Sequence, residues 1–413
     1  MIHTLTLLLT LVVSSTTGSQ SGDDRGQRIV SLERAVAARP ADVESRRILA
    51  EEYSASGRFT DAVAQLRRVT ELAPELASAW YALGHAYNAI KQEAIATFDT
   101  RPEDSSWRQL LGADALLANG HVIDAFTVYR EVLEQLSSMV SVHDSVARIY
   151  EQTGHANWAA RERAIGARSA IDCVRRKALC EFRAGRYRSA LTAALAQPDS
   201  ESRYWRARAA NELALGAFKR INELADSPER RAVRATLARV EERYIDAIAE
   251  LKAALTFAPG DPALVYELAS AYYSAQDYEQ AVATLSPQLQ ARPGEARLLK
   301  LTGYSLLRLR RLEEAVPVLQ LAVERDATDP GPRLALGQAY LQNGDFAAAI
   351  PLIEPQLADD RDGSLHAQLA RAYNGLGQGD KSVPLLVRSQ EIERAARERS
   401  EAAGQRTITP PKE

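Results

Sequence analysis

The sequence predicts an all-α protein built as an array of helix-turn-helix hairpins, and three observations carry that expectation. Residues of one character recur every 34 positions: Tyr244, Tyr278, Leu312 and Phe346; Ala247, Ala281, Ala315 and Ala349; Leu251, Leu285, Leu319 and Ile353. An interval of this length marks one helical hairpin that buries its apolar face only against its neighbours. Small residues keep the same register at Ala235, Ala269, Gly303 and Gly337. A glycine inside a helix costs roughly 1 kcal/mol relative to alanine, so Gly337 implies compensation by close approach of the first helix of a hairpin to the second. Finally, 46% apolar and 25% charged residues in a 413-residue chain are the proportions of a core-forming protein.

The elements follow in order. Residues 1–18 read as a secretory signal peptide, because the apolar run from Thr4 to Val13 is far shorter than a membrane span and is followed by small polar residues. Cleavage is expected between about Ser15 and Ser19, leaving no transmembrane span. Residues 19–42 form a leading segment and helix, 43–200 an N-terminal array with irregular repeats, 201–227 an irregular helical repeat and 228–396 a regular C-terminal array. Residues 397–413 are expected to be the end of a polar capping helix and a disordered tail.

Three local features modify this plan. After Tyr87 and after Trp205 the glycine-containing turn is missing, and both stretches read as shortened repeats. Pro317, Pro351 and Pro384 fall near the starts of second helices, whereas Pro287 and Pro355 lie deeper and are expected to kink or shorten theirs. Cys173 and Cys180 lie in one helical stretch, about 10 Å apart at 1.5 Å rise per residue, so no disulfide is expected between them.

The segment "AWYALGHAY", with Trp80, Leu83, Gly84 and Tyr87, and the segment "YELASAYYSAQDYEQAVATL" resemble the tetratricopeptide repeat (TPR) family over most of residues 43 to 396. The resemblance implies a right-handed superhelical solenoid of about ten repeats, closed by a polar C-terminal capping helix. It also implies that the first helices line a concave face where extended peptides or partner helices bind.

Catalytic readings find little support. The six histidines include no pair at the i, i+4 spacing of two metal ligands on one helix face. Nucleophile elbows, phosphate-binding glycine loops and metal-type cysteine pairs are absent from the sequence. The chain therefore reads as a non-enzyme without metal or cofactor, acting through surfaces.

The candidate groove starts from Tyr266, Ser270 and Tyr273, which share one helix face. Equivalent positions further along are Lys300 and Tyr304 with Leu307, then Gln338 with Leu334 and Leu341, then Arg371 and Asn374. Aromatic anchors, amides and two cations suit an extended segment carrying apolar and acidic groups. A second candidate groove carries Tyr81, His85 and Asn88. Some TPR relatives grip a terminal carboxylate with Lys and Asn, but the matching positions hold Arg47 and Glu51, so that mode is not carried over.

The leading expectation is an exported, non-catalytic protein–protein interaction scaffold of a bacterial envelope, periplasmic or secreted, with a protein or peptide partner. Retention of the first segment as an uncleaved tether is the alternative localisation. The alternative function is binding of nucleic acid or another acidic polymer through residues 161–243, where 19 Lys and Arg face 11 Asp and Glu. Export disfavours a nucleic-acid partner.

Overall fold

The computed structural model describes residues 20–99, 105–136, 139–168, 171–404 and 407–411. The signal-peptide expectation lies outside them. Twenty-one α-helices and no strand are found among the described residues. They fall into two compact units, residues 1–233 with 406–413, and residues 234–405.

The C-terminal unit keeps the sequence register. Helices α13 (Tyr244–Phe257), α15 (Tyr278–Ala291), α17 (Leu312–Arg325) and α19 (Phe346–Ile353) each begin on the recurring residue of the 34-residue pattern. They alternate with α14 (Pro262–Ser274), α16 (Ala296–Arg308), α18 (Pro330–Asn343) and α20 (Ser364–Gly375), and α21 (Gly379–Gly404) closes the unit. Each helix packs on the next, and α14, α16, α18 and α20 also pack on one another, so the first helices form a continuous layer. Local chemistry starts them: Asp261 caps α14 by accepting from the amides of Ala263 and Leu264 at 2.9 and 3.0 Å, with Pro262 in the first turn.

The small-residue register does what the sequence implies. A methyl on Gly303 would stand 2.5 Å from Leu319 of the following helix, and one on Gly337 would stand 2.9 Å from Ile353. Ala281, Ala315 and Ala349 opposite are fully buried. Many dispersion contacts at short helix separation offset the propensity cost of the glycines.

The hairpin turns share one backbone solution. Gly57, Gly120, Gly154, Gly185, Gly344 and Gly377 adopt positive φ, and the corresponding turns after α14 and α16 place Gln276 and Arg310 at φ 63° and 58°. Glu242, before α13, is likewise at φ 58°.

Proline behaves in two ways. Pro355 ends α19 at Ile353, and a 3₁₀ turn, Glu354–Asp359, follows. Pro287, expected to kink or shorten its helix, instead lies within an α15 that runs unbroken for 14 residues. Its face is exposed, as is Ala283 four residues earlier, so water can satisfy the carbonyl that the missing amide leaves.

The N-terminal unit departs from serial stacking. Helices α1 (Gln20–Ala38), α2 (Val43–Ala55) and α3 (Phe59–Leu72) lead into α4 (Ala77–Asp99). Then come α5 (Ser105–Ala118), α6 (Val122–Gln135), α7 (Val140–Gln152), α8 (Ala156–Ala167), α9 (Lys177–Arg183), α10 (Tyr187–Leu195) and α11 (Ser200–Glu223). The two stretches read as shortened repeats are instead the two long helices, α4 with 23 residues and α11 with 24, and they pack on each other. Without a glycine turn, nothing folds either helix back. One apolar cluster joins α1 to α4 with Ala209, Ala214, Phe218 and Ile221 of α11; a second gathers residues of α5 to α10 around Tyr204 and Trp205 at the start of α11. Helix α12 (Pro228–Val240) contains the boundary between the units.

The cysteine expectation is overturned. Cys173 and Cys180 form a disulfide, with their Cα atoms 5.7 Å apart. Helix α9 starts only at Lys177, and Asp172 stabilises a turn before it by accepting from the amides of Val174 and Arg175 at 2.9 and 3.3 Å. That turn shortens the separation the sequence had assigned to a helix. The tail also differs from expectation: Thr407–Pro411 lies against α7, where the Tyr150 hydroxyl donates to the Thr409 carbonyl at 2.6 Å.

Candidate functional site

The layer of α14, α16, α18 and α20 brings the residues of the first candidate groove onto adjacent helices. Tyr266, Ser270, Tyr273, Lys300 and Tyr304 are half-buried, while Gln338, Arg371 and Asn374 are exposed. Leu307 and Leu341 belong to the core.

The tyrosines make contacts between helices. The Arg297 guanidinium lies over the Tyr266 ring at 4.9 Å, and Tyr273 meets Tyr278 edge to face at 5.3 Å. The Tyr304 hydroxyl lies against Gly331, where a Cβ would collide with it. Burial raises the phenol pKa values of Tyr266, Tyr273 and Tyr304, which keeps all three protonated and able to donate at neutral pH.

Lys300 is not an open cation. Its Nζ lies 2.5 Å from Asp329 Oδ2, and Asp329 also accepts from the Gly331 amide at 2.9 Å as the cap of α18. The pair fastens α16 to the start of α18. Arg371, in contrast, is exposed on α20.

The second set of candidate residues is placed differently. His85 and Asn88 of α4 are buried, 8% and 4% exposed, because α11 crosses this face. His85 stacks edge to face on Tyr81 at 4.3 Å and on Phe218 at 5.5 Å. Neither ring nitrogen has a hydrogen-bond partner, and burial pushes the imidazole down to about 4. Next to it, a mostly apolar cavity of about 290 Å³ is lined by Ala50, Phe59, Leu66, Tyr81 and His85, with Arg47 and Glu51 at its edge. Arg47 is held by Glu44 and Glu51 of its own helix.

A cleft of about 360 Å³, its lining more apolar than polar but edged by several charged groups, was not legible in the sequence. Lys91 and Ile95 of α4, Asp114 of α5, Tyr129 of α6, Ser145 of α7, and Arg208 and Glu212 of α11 line it. Asp114 accepts from Tyr129 and Tyr204 at 2.7 and 2.8 Å and from Arg208 at 2.6 Å. Both phenols are raised well above their ordinary range, by burial first and by the Asp114 charge in addition, against which the Arg208 charge works. Burial also raises Glu212 and lowers Lys91 to about 8. With two protonated phenols and a guanidinium closing round one carboxylate, the network holds α5, α6 and α11 together. Its members are 15 and 90 residues apart in the chain, a separation that no local pattern reports.

The basic segment 161–243 is largely ion-paired, often with acids from other segments. Arg163 pairs with Glu151, Arg183 with Asp144, Arg208 with Asp114 and Arg239 with Glu267. Within the segment Arg176 pairs with Glu201 and Arg231 with Asp226.

These features define a class: a helical-hairpin repeat protein whose first helices form a continuous layer. The chain carries tetratricopeptide repeats, whose models match residues 50–90, 241–303 and 306–373. It is 32% identical over 110 residues to the BBSome complex member BBS4 of Xenopus tropicalis, a match that covers 27% of this chain. The chain spans about a fifth of that relative's length, 21%. Among solved structures it is similar to MamA from Desulfovibrio magneticus RS-1 (41 to the end), with 20% identity and a TM-score of 0.39, covering 41% of this chain and 97% of that one. MamA MSR-1 aligns comparably, with 19% identity and a TM-score of 0.38 over 41% of this chain and 98% of that one.

Proposed function

We propose that the protein is a non-catalytic protein–protein interaction scaffold of the cell envelope, which binds an extended peptide or partner protein on the layer formed by α14, α16, α18 and α20. The observation that carries this reading is the direct packing of these four helices on one another, which sets half-buried tyrosines beside the exposed Gln338, Arg371 and Asn374. Anchors of limited freedom next to adaptable polar groups are what a peptide surface needs. A photo-crosslinking residue at Gln338 or Arg371 in living cells should capture a discrete partner, and one at Glu313 on the second-helix side should not. Equal capture from both sides would remove the groove assignment.

Export is supported by the disulfide, because such bonds persist in oxidising compartments. The mature protein should show no free thiol when unfolded without reductant, and N-terminal sequencing should begin near residue 18. Among the described residues no helix is long and apolar enough to cross a membrane. The acidic-polymer reading is weakened by the pairing of the basic segment. Its test is filter binding at low salt, since counterion release would make any such affinity steeply salt-dependent.

A further inference from the structure

We propose that the N-terminal unit carries on α7 and α8 an acceptor groove for an extended, proline-containing segment, occupied by the chain's own C-terminal residues Thr407–Pro411. The groove is separate from the layer assigned above, and two contacts and the burial of one residue define it. The Tyr150 hydroxyl donates to the Thr409 carbonyl at 2.6 Å, Ile408 packs, as Trp158 does, on the cluster that contains Phe126 and Tyr150, and Pro411 is buried.

The tail sequence Thr407-Ile408-Thr409-Pro410-Pro411 suits such a site. All five residues are outside helix and strand, so the carbonyls of the segment are not committed to a ladder. Two successive prolines restrict the unbound segment to few conformations, which lowers the entropy lost on docking. Aromatic-lined grooves recognise such segments by ring contact plus a donor to a backbone carbonyl. Here the donor is Tyr150, whose ring is fixed by Phe126 and Trp158 at centroid distances of 5.6 and 5.7 Å, and Trp158 is stacked on His155 at 4.1 Å. Burial pushes the Tyr150 phenol up to about 12, which preserves it as a donor. A segment with a β-branched residue followed by paired prolines, supplied by a partner, would reach this groove by displacing the tail.

The test is a labelled peptide of residues 405–413 titrated into the natural chain and into an Ile408→Asp chain, whose own tail places a charge against the apolar cluster. A tethered tail competes at an effective concentration in the millimolar range, so the peptide should bind the variant at least about tenfold more tightly than the natural chain. Adding Tyr150→Phe to that variant should weaken peptide binding by about fivefold, with the helical circular dichroism unchanged. Independently of the variants, saturating peptide should raise the backbone mobility of Ile408 and Thr409 of the natural chain in nitrogen-15 relaxation. Equal binding to both chains, no binding to the variant, or tail mobility indifferent to saturating peptide would each overturn the assignment.

Discussion

Gly84 of α4 and Phe218 of α11 meet where the two long helices cross, so closely that a methyl on Gly84 would stand 2.6 Å from two ring carbons. The glycine of the TPR-like motif thus serves a pairing between two helices distant in the chain. Gly84→Ala should destabilise the protein by about 1–3 kcal/mol through overpacking. Phe218→Leu should recover part of that loss, giving a favourable coupling in a double-mutant cycle read by urea unfolding. Strictly additive single effects would show that the contact is not what constrains position 84.

The left-handed turns offer the opposite kind of change. Arg310 holds φ 58° where Gly344 stands in the next repeat at φ 87°. Left-handed backbone costs a non-glycine residue about 1–2 kcal/mol, against about 0.5–1 kcal/mol of chain entropy that a glycine forfeits. Arg310→Gly should therefore raise stability by about 0.5–1 kcal/mol, whereas Glu324→Gly inside α17 should lower it by about 1 kcal/mol. Thermal or urea midpoints that move the same way for both would contradict the turn assignment.

Ala315 is fully buried between α16 and α17. Ala315→Leu should cost about 1–3 kcal/mol. Contacts in this unit are to neighbouring helices, so hydrogen exchange should quicken in α16 to α18 and stay slow in α2 and α3. Uniform loss of protection along the chain is the result that would defeat this.

Acid should act on the N-terminal unit through His85. Its folded pKa lies near 4 against an ordinary 6.5, with burial as the cause. Between those values the unfolded chain takes up a proton that the folded chain does not, so stability falls as pH drops through that window, by roughly 3 kcal/mol in all. His85→Leu should lose clearly less stability than the natural chain between pH 7 and pH 4.5 in urea titrations. Equal losses would place the acid sensitivity elsewhere.

The C-terminal unit was legible because each hairpin repeats the same contacts: Leu285, Leu319 and Ile353 recur where a small residue faces them, and the pattern survives in one dimension. The α4–α11 pair left no such trace. Its local cue, a missing glycine turn, is equally compatible with a short repeat, and only tertiary packing across 120 residues, as between Lys91 and Asn211, tells the two apart. The Asp114 cleft and the burial of His85 and Asn88 follow from the same crossing and were hidden with it. In the C-terminal unit the candidate positions could be placed on a shared layer from the repeat register. That Lys300 is held by Asp329 could not be seen, because the partner lies in the next hairpin's cap. The Cys173–Cys180 bond was missed for a local reason: Asp172 opens a turn in a stretch whose composition reads as helix.

During synthesis the two units meet different circumstances. A hairpin of the later repeats finds its predecessor already waiting, but α4 must wait until residue 223 has been made before α11 can shelter its face. At ~5–20 residues per second, that delay is about 6 to 25 s. For that interval Leu83, Ala86 and Ile90 lack part of their eventual cover, and the nascent chain has its greatest need of a chaperone there.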